Sequence, residues 1–446
     1  MNGISNANVT PIANLVPSQE QMQICEDIKR GGNHAIFGEA GTGKTMLIRL
    51  IVKELSAMGR RVMCVAPTGI ATLNLGIEGA MTIHRAFCLS DGKADDAVAA
   101  HCWSDIFFDT LIMDEISMVR SDIFATVDTL LRQRGNPIAP FGGVQLVVVG
   151  DFMQMPPFAS DRVLESGIVG QHGSLYSFST KAWADADFKI HKLDIVYRQQ
   201  GHDDLQKYLH AIHSNSIARC ELATLNDCLI ANGIPGRNTP RCQLTWLKED
   251  SRRINRECVE KCWPEWKADA DASVRGDYPE SEFPVDRVLS LKADQKVLLV
   301  ANRYVRGRPL YVNGDLGTFV TVMGDDLLVR LERNGREVRV SRNTWYHYDY
   351  RINKDGQIEG IKTGNYTQYP VLPGYAVTIT RSQGMTLSGG VHIELPFDRR
   401  LPSGVVYTAL SRERSLEQLS CNRMIEPEDL CPSEEVLKFM TMHHLL

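Results

Sequence analysis

The sequence lacks the features that would commit it early to one class. Its 49 Lys and Arg are outweighed by 54 Asp and Glu, leaving a formal net charge of −5. No global basic field therefore draws it to nucleic acid, and any such site must be a local groove. The 11 cysteines include no CxxC pair. Cys258 and Cys262 are the most closely spaced and have no second Cys/His pair at zinc spacing, so reduced cytosolic thiols are expected rather than a zinc centre or a disulfide framework. No apolar run approaches the ~20 residues of a membrane-spanning helix. The first 16 residues hold no Lys or Arg and do not read as a targeting peptide. The expectation is a cytoplasmic protein, nucleoid-associated in a bacterial or viral setting. Internal repeats and low-complexity tracts are missing too.

What is present is an ordinary globular composition, 43% hydrophobic and 23% charged, over 446 residues, which excludes a fibrous or largely disordered chain. That length holds roughly two to four domains. Apolar runs at 34–37, 61–66, 110–113 and 145–149 read as buried parallel strands, and 44–55 and 122–133 carry helical spacing. Residues 17–180 thus read as a doubly wound α/β domain after an N-terminal tail, 1–16. Helical candidates at 203–213 and 251–263 and strand candidates at 376–380 and 391–395 make a second α/β domain from 181–284 and 369–446. It is interrupted at 285–368 by β-rich runs (296–300, 317–322, 327–331) with Asn-Gly at 313–314 and 334–335, which read as a small antiparallel barrel. The Ala/Asp alternation at 268–272 reads as an exposed connection.

Gly38-Glu39-Ala40-Gly41-Thr42-Gly43-Lys44-Thr45 fits GxxxxGK[ST] between a strand and a helix. Gly38, Gly41 and Gly43 let backbone N–H groups, including that of Thr42, turn onto phosphates. Lys44 then reaches the β/γ oxygens, and the Thr45 hydroxyl is placed for Mg²⁺. Leu111-Ile112-Met113 runs into Asp114-Glu115 at the carboxyl end of a strand. There Asp114 suits holding Mg²⁺ through water, and Glu115 suits activating the water that attacks the γ-phosphate. After 145–149, Gln154 lies in another polar strand-end loop, where it either senses the γ-phosphate or caps a turn.

Taken in order, these segments resemble the superfamily one, class B helicases, and most closely the petite-integration-frequency family. The resemblance runs through Glu20-Gln21, GEAGTGKT, APTGIAT at 66–72, TIHRAF at 82–87, MDEIS at 113–117 and FGGVQLVVVGDFMQMPP at 141–157. It continues through YRQ at 197–199, YVNGDLGT at 311–318, GYAVTITRSQGMTL at 374–387 and VVYTALSRERSL at 405–416. It implies two RecA-like motor domains, the second carrying an SH3-like barrel, that use ATP and Mg²⁺ to move 5′ to 3′ on single-stranded DNA and open forked or tailed duplexes. The expected setting is replication, recombination or repair, and the expected motor is monomeric. Carried over by motif, Gln21 reads the adenine, Gln154 couples the γ-phosphate to DNA, and Arg198 and Arg412 are arginine fingers from the second motor. Pro67, Thr68, Thr82, His84, Thr378, Thr380, Arg381 and Ser382 are the implied DNA contacts. For His84 a helix-start hydrogen bond is the alternative.

The sequence departs from the family pattern where Thr380-Arg381 replaces the usual His-Lys, keeping charge but not geometry. Lys248 replaces a common Asn, and the segment at 88–108, where relatives carry a strand-separating wedge, is acidic at Asp91, Asp95 and Asp96. Two other readings stay open: a translocase that displaces proteins with little unwinding, and an ATP-switched binding protein. Phosphate-dominated binding also leaves RNA open as a substrate.

Overall fold

The computed structural model describes residues 17–77, 79–87, 89–90, 93–94, 108–158, 168–197, 203–233, 241–261, 267–280, 283–305, 308–352, 358–385, 387 and 389–446. The first half is built on a six-stranded parallel sheet in the order Met81–Thr82, Val62–Ala66, Thr110–Met113, Gln145–Gly150, His34–Gly38, Lys189–Leu193. Period-two alternation sends the apolar side chains of each strand to opposite faces. Ile36, Ile112, Val147 and Val149 pack with Ile24, Ile28, Leu47, Ile48 and Ile51 of the helices Gln19–Lys29 and Lys44–Ala57 on one side. Phe37, Leu111, Met113, Leu146 and Val148 meet Phe124, Val127 and Leu131 of the helix Ser121–Arg134 on the other. Burial of both faces explains why these strands read as continuous apolar runs.

The second half has a four-stranded parallel sheet in the order Ala376–Thr378, Cys242–Thr245, Val391–Glu394, Leu419–Cys421. The helix Lys248–Lys261 packs on it through strand Ala376–Thr378, where Asn255 exchanges two hydrogen bonds with the Ala376 backbone, 2.7 and 2.9 Å. These two parallel sheets are the RecA-like pair that the sequence resemblance implies.

Several boundaries need correction. Lys189–Leu193 completes the first sheet, so the division drawn at 180 falls too early. The final helix, Glu434–Met442, was grouped with the second half by sequence order. Its Phe439 instead stacks on Phe178 (ring centroids 4.6 Å apart) and meets Phe37, Phe152 and Trp183 of the first. Residues 268–272 are no exposed connection, because Lys267–Asp271 is a strand paired antiparallel to Val288–Lys292, with Ala268 and Ala270 turned towards a core. Alternation of small and charged residues was a strand signal there. The strand expected over 376–380 stops at Thr378, whose hydroxyl caps a turn of helix, Ile379–Ser382.

The insertion consequently starts earlier and ends later than 285–368. Its main sheet is five-stranded and antiparallel, in the order Glu337–Val340, Asp326–Leu331, Leu316–Met323, Lys296–Leu299, Val371–Pro373. Leu289, Val297, Leu299, Phe319, Val329 and Val340 form its own core. A further three-stranded sheet joins Ser273–Gly276, Ile358–Gln368 and Asn343–Ile352. Among the described residues no helix is long and apolar enough to cross a membrane.

Candidate nucleotide and nucleic-acid site

The phosphate loop leaves the strand His34–Gly38 and enters the helix at Lys44. Lys44 Nζ donates to the carbonyls of Gly38 (2.6 Å) and Glu39 (2.9 Å), and Thr42 Oγ1 to that of Glu39 (2.9 Å), so the loop curls around its own lysine. Gly43 has φ +82°, and a Cβ there would lie 2.9 Å from Gln21 Nε2 and 3.4 Å from the Tyr197 ring. Glycine is needed both for the turn and for these neighbours.

Gln21 does two things. With Ser18 it closes a capping box, Ser18 N–H donating to Gln21 Oε1 and Gln21 N–H to Ser18 Oγ, both 3.1 Å. Its Nε2 is buried with no partner among the described residues, beside the loop. An orphaned amide donor there is chemically suited to an adenine ring nitrogen.

Asp114 and Glu115 sit at the carboxyl end of Thr110–Met113. Burial, reinforced by the neighbouring Glu115 charge, pushes the Asp114 carboxyl up to about 7, while Lys44 and the Glu115 N–H (2.9 Å) pull the other way. A carboxylate this poorly solvated, within the field of Lys44, is a fitting oxygen donor for a divalent cation. Glu115 holds φ +51°, a left-handed backbone uncommon for a carboxylate residue. Its Oε2 accepts 3.0 Å from Gln383 Nε2, which lies in the second half.

The strand Gln145–Gly150 delivers Asp151 and Gln154, both buried. Asp151 Oδ2 accepts from Gln154 Nε2 at 2.9 Å and Oδ1 from His213 Nε2 at 3.0 Å. Burial alone would raise the Asp151 carboxyl, yet the His213 charge and hydrogen bond bring it below the ordinary range. Gln154 is thus held by a carboxylate rather than left as a loose turn cap.

From the second half, Arg412 is 2% exposed. Its Nε donates to Thr408 O (2.8 Å), Nη1 to Ser382 O (3.2 Å) and Met385 O (3.4 Å), and Nη2 to Ser411 Oγ (2.7 Å). Burial pulls its pKa down, and Glu115, then Tyr407 and Asp151, hold it up, so the guanidinium lies within the field of two first-half carboxylates, Glu115 and Asp151. Arg198 lies outside the described residues, as do 95–107 of the wedge segment. Tyr197, just before Arg198, donates its N–H to Gly41 O at 2.8 Å.

The expected DNA contacts divide. Thr82 and Thr378 occupy matching positions in the two halves: each ends a strand, and its Oγ1 accepts the N–H three residues on, from Arg85 (3.3 Å) and Arg381 (3.2 Å). The segments Thr82-Ile83-His84-Arg85 and Thr378-Ile379-Thr380-Arg381 are thus a structural pair. Pro67, Thr68, Thr82 and His84 are half-buried and Thr380 is exposed. Burial, then the Arg120 charge, lowers the His84 pKa. Ser382 is wholly buried, with its hydroxyl donated to Ile379 O (2.7 Å), and Arg381 reaches Pro284 O (3.1 Å). In this conformation those two brace their own half.

Sequence reasoning missed Gln383, His213 and Tyr407. The Tyr407 hydroxyl accepts the Ala40 N–H of the phosphate loop at 3.3 Å. Gln383 lies within GYAVTITRSQGMTL and Tyr407 within VVYTALSRERSL, so membership of those segments was the available signal for both. His213 had none.

Fold and site define a phosphate-loop protein of two parallel α/β halves with a β insertion in the second. Residues 17–216 match the family described as PIF1-like helicase. The chain is 28% identical over 431 residues to the Homo sapiens protein named ATP-dependent DNA helicase PIF1, covering 90% of this chain and 60% of that one. It therefore spans about three-fifths of that relative's length. The crystal structure of Bacteroides sp Pif1 in complex with ADP-AlF4 superposes with a TM-score of 0.79 at 27% identity, covering 97% of this chain and 98% of that one. The Bacteroides Pif1 structure bound to ssDNA gives 0.66, also at 27% identity and the same coverage. Over residues 17–216 the chain is thus similar to the PIF1-like helicases, and its fold as a whole is similar to that of the Bacteroides Pif1 structures.

Proposed function

We propose that this chain is an ATP-dependent DNA helicase that translocates on single-stranded DNA and unwinds forked or tailed duplexes. The observation that carries it is the convergence on one cleft of the phosphate loop, the Asp114-Glu115 pair and Gln154 from the first half with Gln383, Tyr407 and Arg412 from the second. A nucleotide site shared by two halves can turn hydrolysis into relative motion of those halves. The relatives named DNA helicases and the complex with ssDNA support the same reading.

Gln21 would take the adenine and the loop N–H groups and Lys44 the phosphates. Asp114 and Thr45 would hold Mg²⁺, which when bound neutralises phosphate charge. Glu115, whose carboxylate meets Gln383 of the second half, would take a proton from the attacking water. Arg412, and Arg198 beside the loop-anchored Tyr197, would stabilise charge spreading over the transferred phosphoryl group, for which Arg412 must exchange carbonyl partners for phosphate. Thr82 and Thr378, one on each half, would grip successive phosphates of the strand without reading bases. We read the insertion as the small SH3-like barrel of such motors and the direction as 5′ to 3′.

The test is ATP turnover with and without single-stranded DNA or RNA, followed by unwinding of 5′- and 3′-tailed duplexes. Stimulation by DNA and opening of the 5′-tailed substrate alone are expected. A chain whose turnover ignores nucleic acid would be an ATP-switched binder instead, and turnover without strand separation would make it a translocase.

A further inference from the structure

His213 closes the helix Asp203–His213 and is 3% exposed, between the phosphate loop and the loop that carries Gln154. Its Nε2 lies 3.0 Å from Asp151 Oδ1 and its Nδ1 3.8 Å from Glu39 Oε1. One turn earlier, His210 Nδ1 lies 2.6 Å from the same Glu39 oxygen. The other face of the imidazole meets the Tyr407 ring, centroids 5.6 Å apart. Asp151 is fully engaged: Oδ1 also accepts the Met153 N–H at 3.0 Å, and Oδ2 takes one hydrogen of the Gln154 amide.

We propose that His213 is a positioning residue for Gln154, acting through Asp151. An amide swings broadly about its last torsion. Tying one N–H to a fixed carboxylate sets the amide plane and leaves the second N–H and the carbonyl directed by that plane. The carboxylate is fixed only if its own orientation is, and at 1% exposure no solvent does this. The Met153 N–H holds Oδ1 from within the same loop, and His213 supplies the bond that ties it to a separate helix. A buried ion pair is a poor stabiliser compared with apolar residues of the same volume, so its contribution is orientation. A shift of about 1 Å in such a group costs on the order of a hundredfold in rate.

The groups facing His213 are Asp151, Glu39, His210, Tyr407 and the more distant Lys44. Burial would lower its pKa, but Asp151 and Glu39 together raise it above the ordinary value, with Lys44 opposing. As pH climbs past that raised value the ion pair becomes a neutral hydrogen bond and its hold on Asp151 loosens.

The inference rests on the proposed nucleotide site, and the test separates the two. DNA-stimulated turnover of the full chain is measured against ATP concentration and pH for wild type, His213→Phe, His213→Gln, Gln154→Ala and the His213→Phe/Gln154→Ala double variant. Expected are a loss in kcat of about tenfold or more in His213→Phe, with KM for ATP within about threefold. His213→Gln, which keeps an N–H towards Asp151, should recover much of the rate and lack the alkaline fall expected of wild type. The double variant should be no slower than Gln154→Ala, because two residues acting as one unit are not additive. Losses that multiply, or an unaltered kcat in His213→Phe, overturn the proposal. Should His213→Phe not fold, the His213→Gln pH profile decides, and an alkaline limb that persists refutes it. A wild-type chain that hydrolyses no ATP sinks the function itself, and this inference with it.

Discussion

Gly404 begins the helix Val405–Leu410, which carries Tyr407 to the phosphate loop. It has φ +79°, and a Cβ added there would lie 2.0 Å from the Gln154 carbonyl oxygen, 2.6 Å from its carbon and 2.7 Å from the Met153 oxygen. Every one of these is backbone, so no side chain can swing aside. Since contacts below about 3 Å are repulsive, Gly404→Ala must drive the two halves apart by about 1 Å. Left-handed strain adds roughly 1–2 kcal/mol. Gly59 separates the two effects: its φ is +77° and nothing lies within 4 Å of the added methyl. Gly59→Ala should lose about 1–2 kcal/mol of stability with turnover unchanged. Gly404→Ala should carry the same strain and in addition lose more than about tenfold in DNA-stimulated turnover, because catalytic groups from the two halves are misplaced. Melting and steady-state ATPase assays on the two variants give the comparison. If Gly404→Ala turns over like Gly59→Ala, the halves do not need this close approach, and the shared-cleft argument is wrong.

Lys44→Ala should abolish nucleotide binding, whereas Glu115→Gln should bind it and scarcely hydrolyse it; equilibrium binding beside single turnover distinguishes them, and normal turnover in Glu115→Gln removes that residue from water activation. Arg412→Ala should cut turnover by about 10³-fold or more. It should also destabilise the fold by roughly 1–3 kcal/mol, because the Met385 carbonyl loses the Arg412 donor and the Ser382 carbonyl keeps only the Met385 N–H. A melting curve like that of wild type would contradict the bonding described. The Asp151–His213 pair predicts a pH-dependent stability gap between wild type and His213→Gln. Asp151 is lowered from 3.8, so its contribution is present above that value and lost as pH falls through the folded pKa; His213 is raised from 6.5, so its contribution is present below that value and lost as pH rises through the folded pKa. The gap in melting temperature should be widest between those two values, and a constant gap would show that the pair does not titrate as assigned.

The parallel strands and the phosphate loop were legible because their signals are local: an apolar run buried on both faces, then glycines and a lysine at fixed spacing. The helix Asp203–His213 was equally plain from its periodicity, but nothing in its sequence says that His213 faces Asp151, 62 positions earlier. Strand Lys189–Leu193 was missed for a different reason. As an edge strand of the first sheet it mixes Lys and His with Ile and Leu, so only its pairing with His34–Gly38 reveals it. Likewise the Ala/Asp alternation was read as exposure when its period of two was the stronger signal. Arg412 was read towards phosphate on motif grounds, yet its guanidinium is folded onto carbonyls of its own half, a contact set that no spacing encodes.

Asn74 occupies an unusual crossing. Its carbonyl accepts from Arg49 of the phosphate-loop helix at 2.8 Å, its side-chain oxygen accepts from Asn313 of the insertion's turn at 3.1 Å, and its Nδ2 lies 2.6 Å from where a Cβ of Gly384 would stand. The helix Lys44–Ala57, the inserted sheet and the second half therefore meet at one residue, like three shafts at a pinion, beside the Gln383–Glu115 and Tyr407–Ala40 bonds. A turn of any one must either carry the other two or slip a tooth by releasing Asn74.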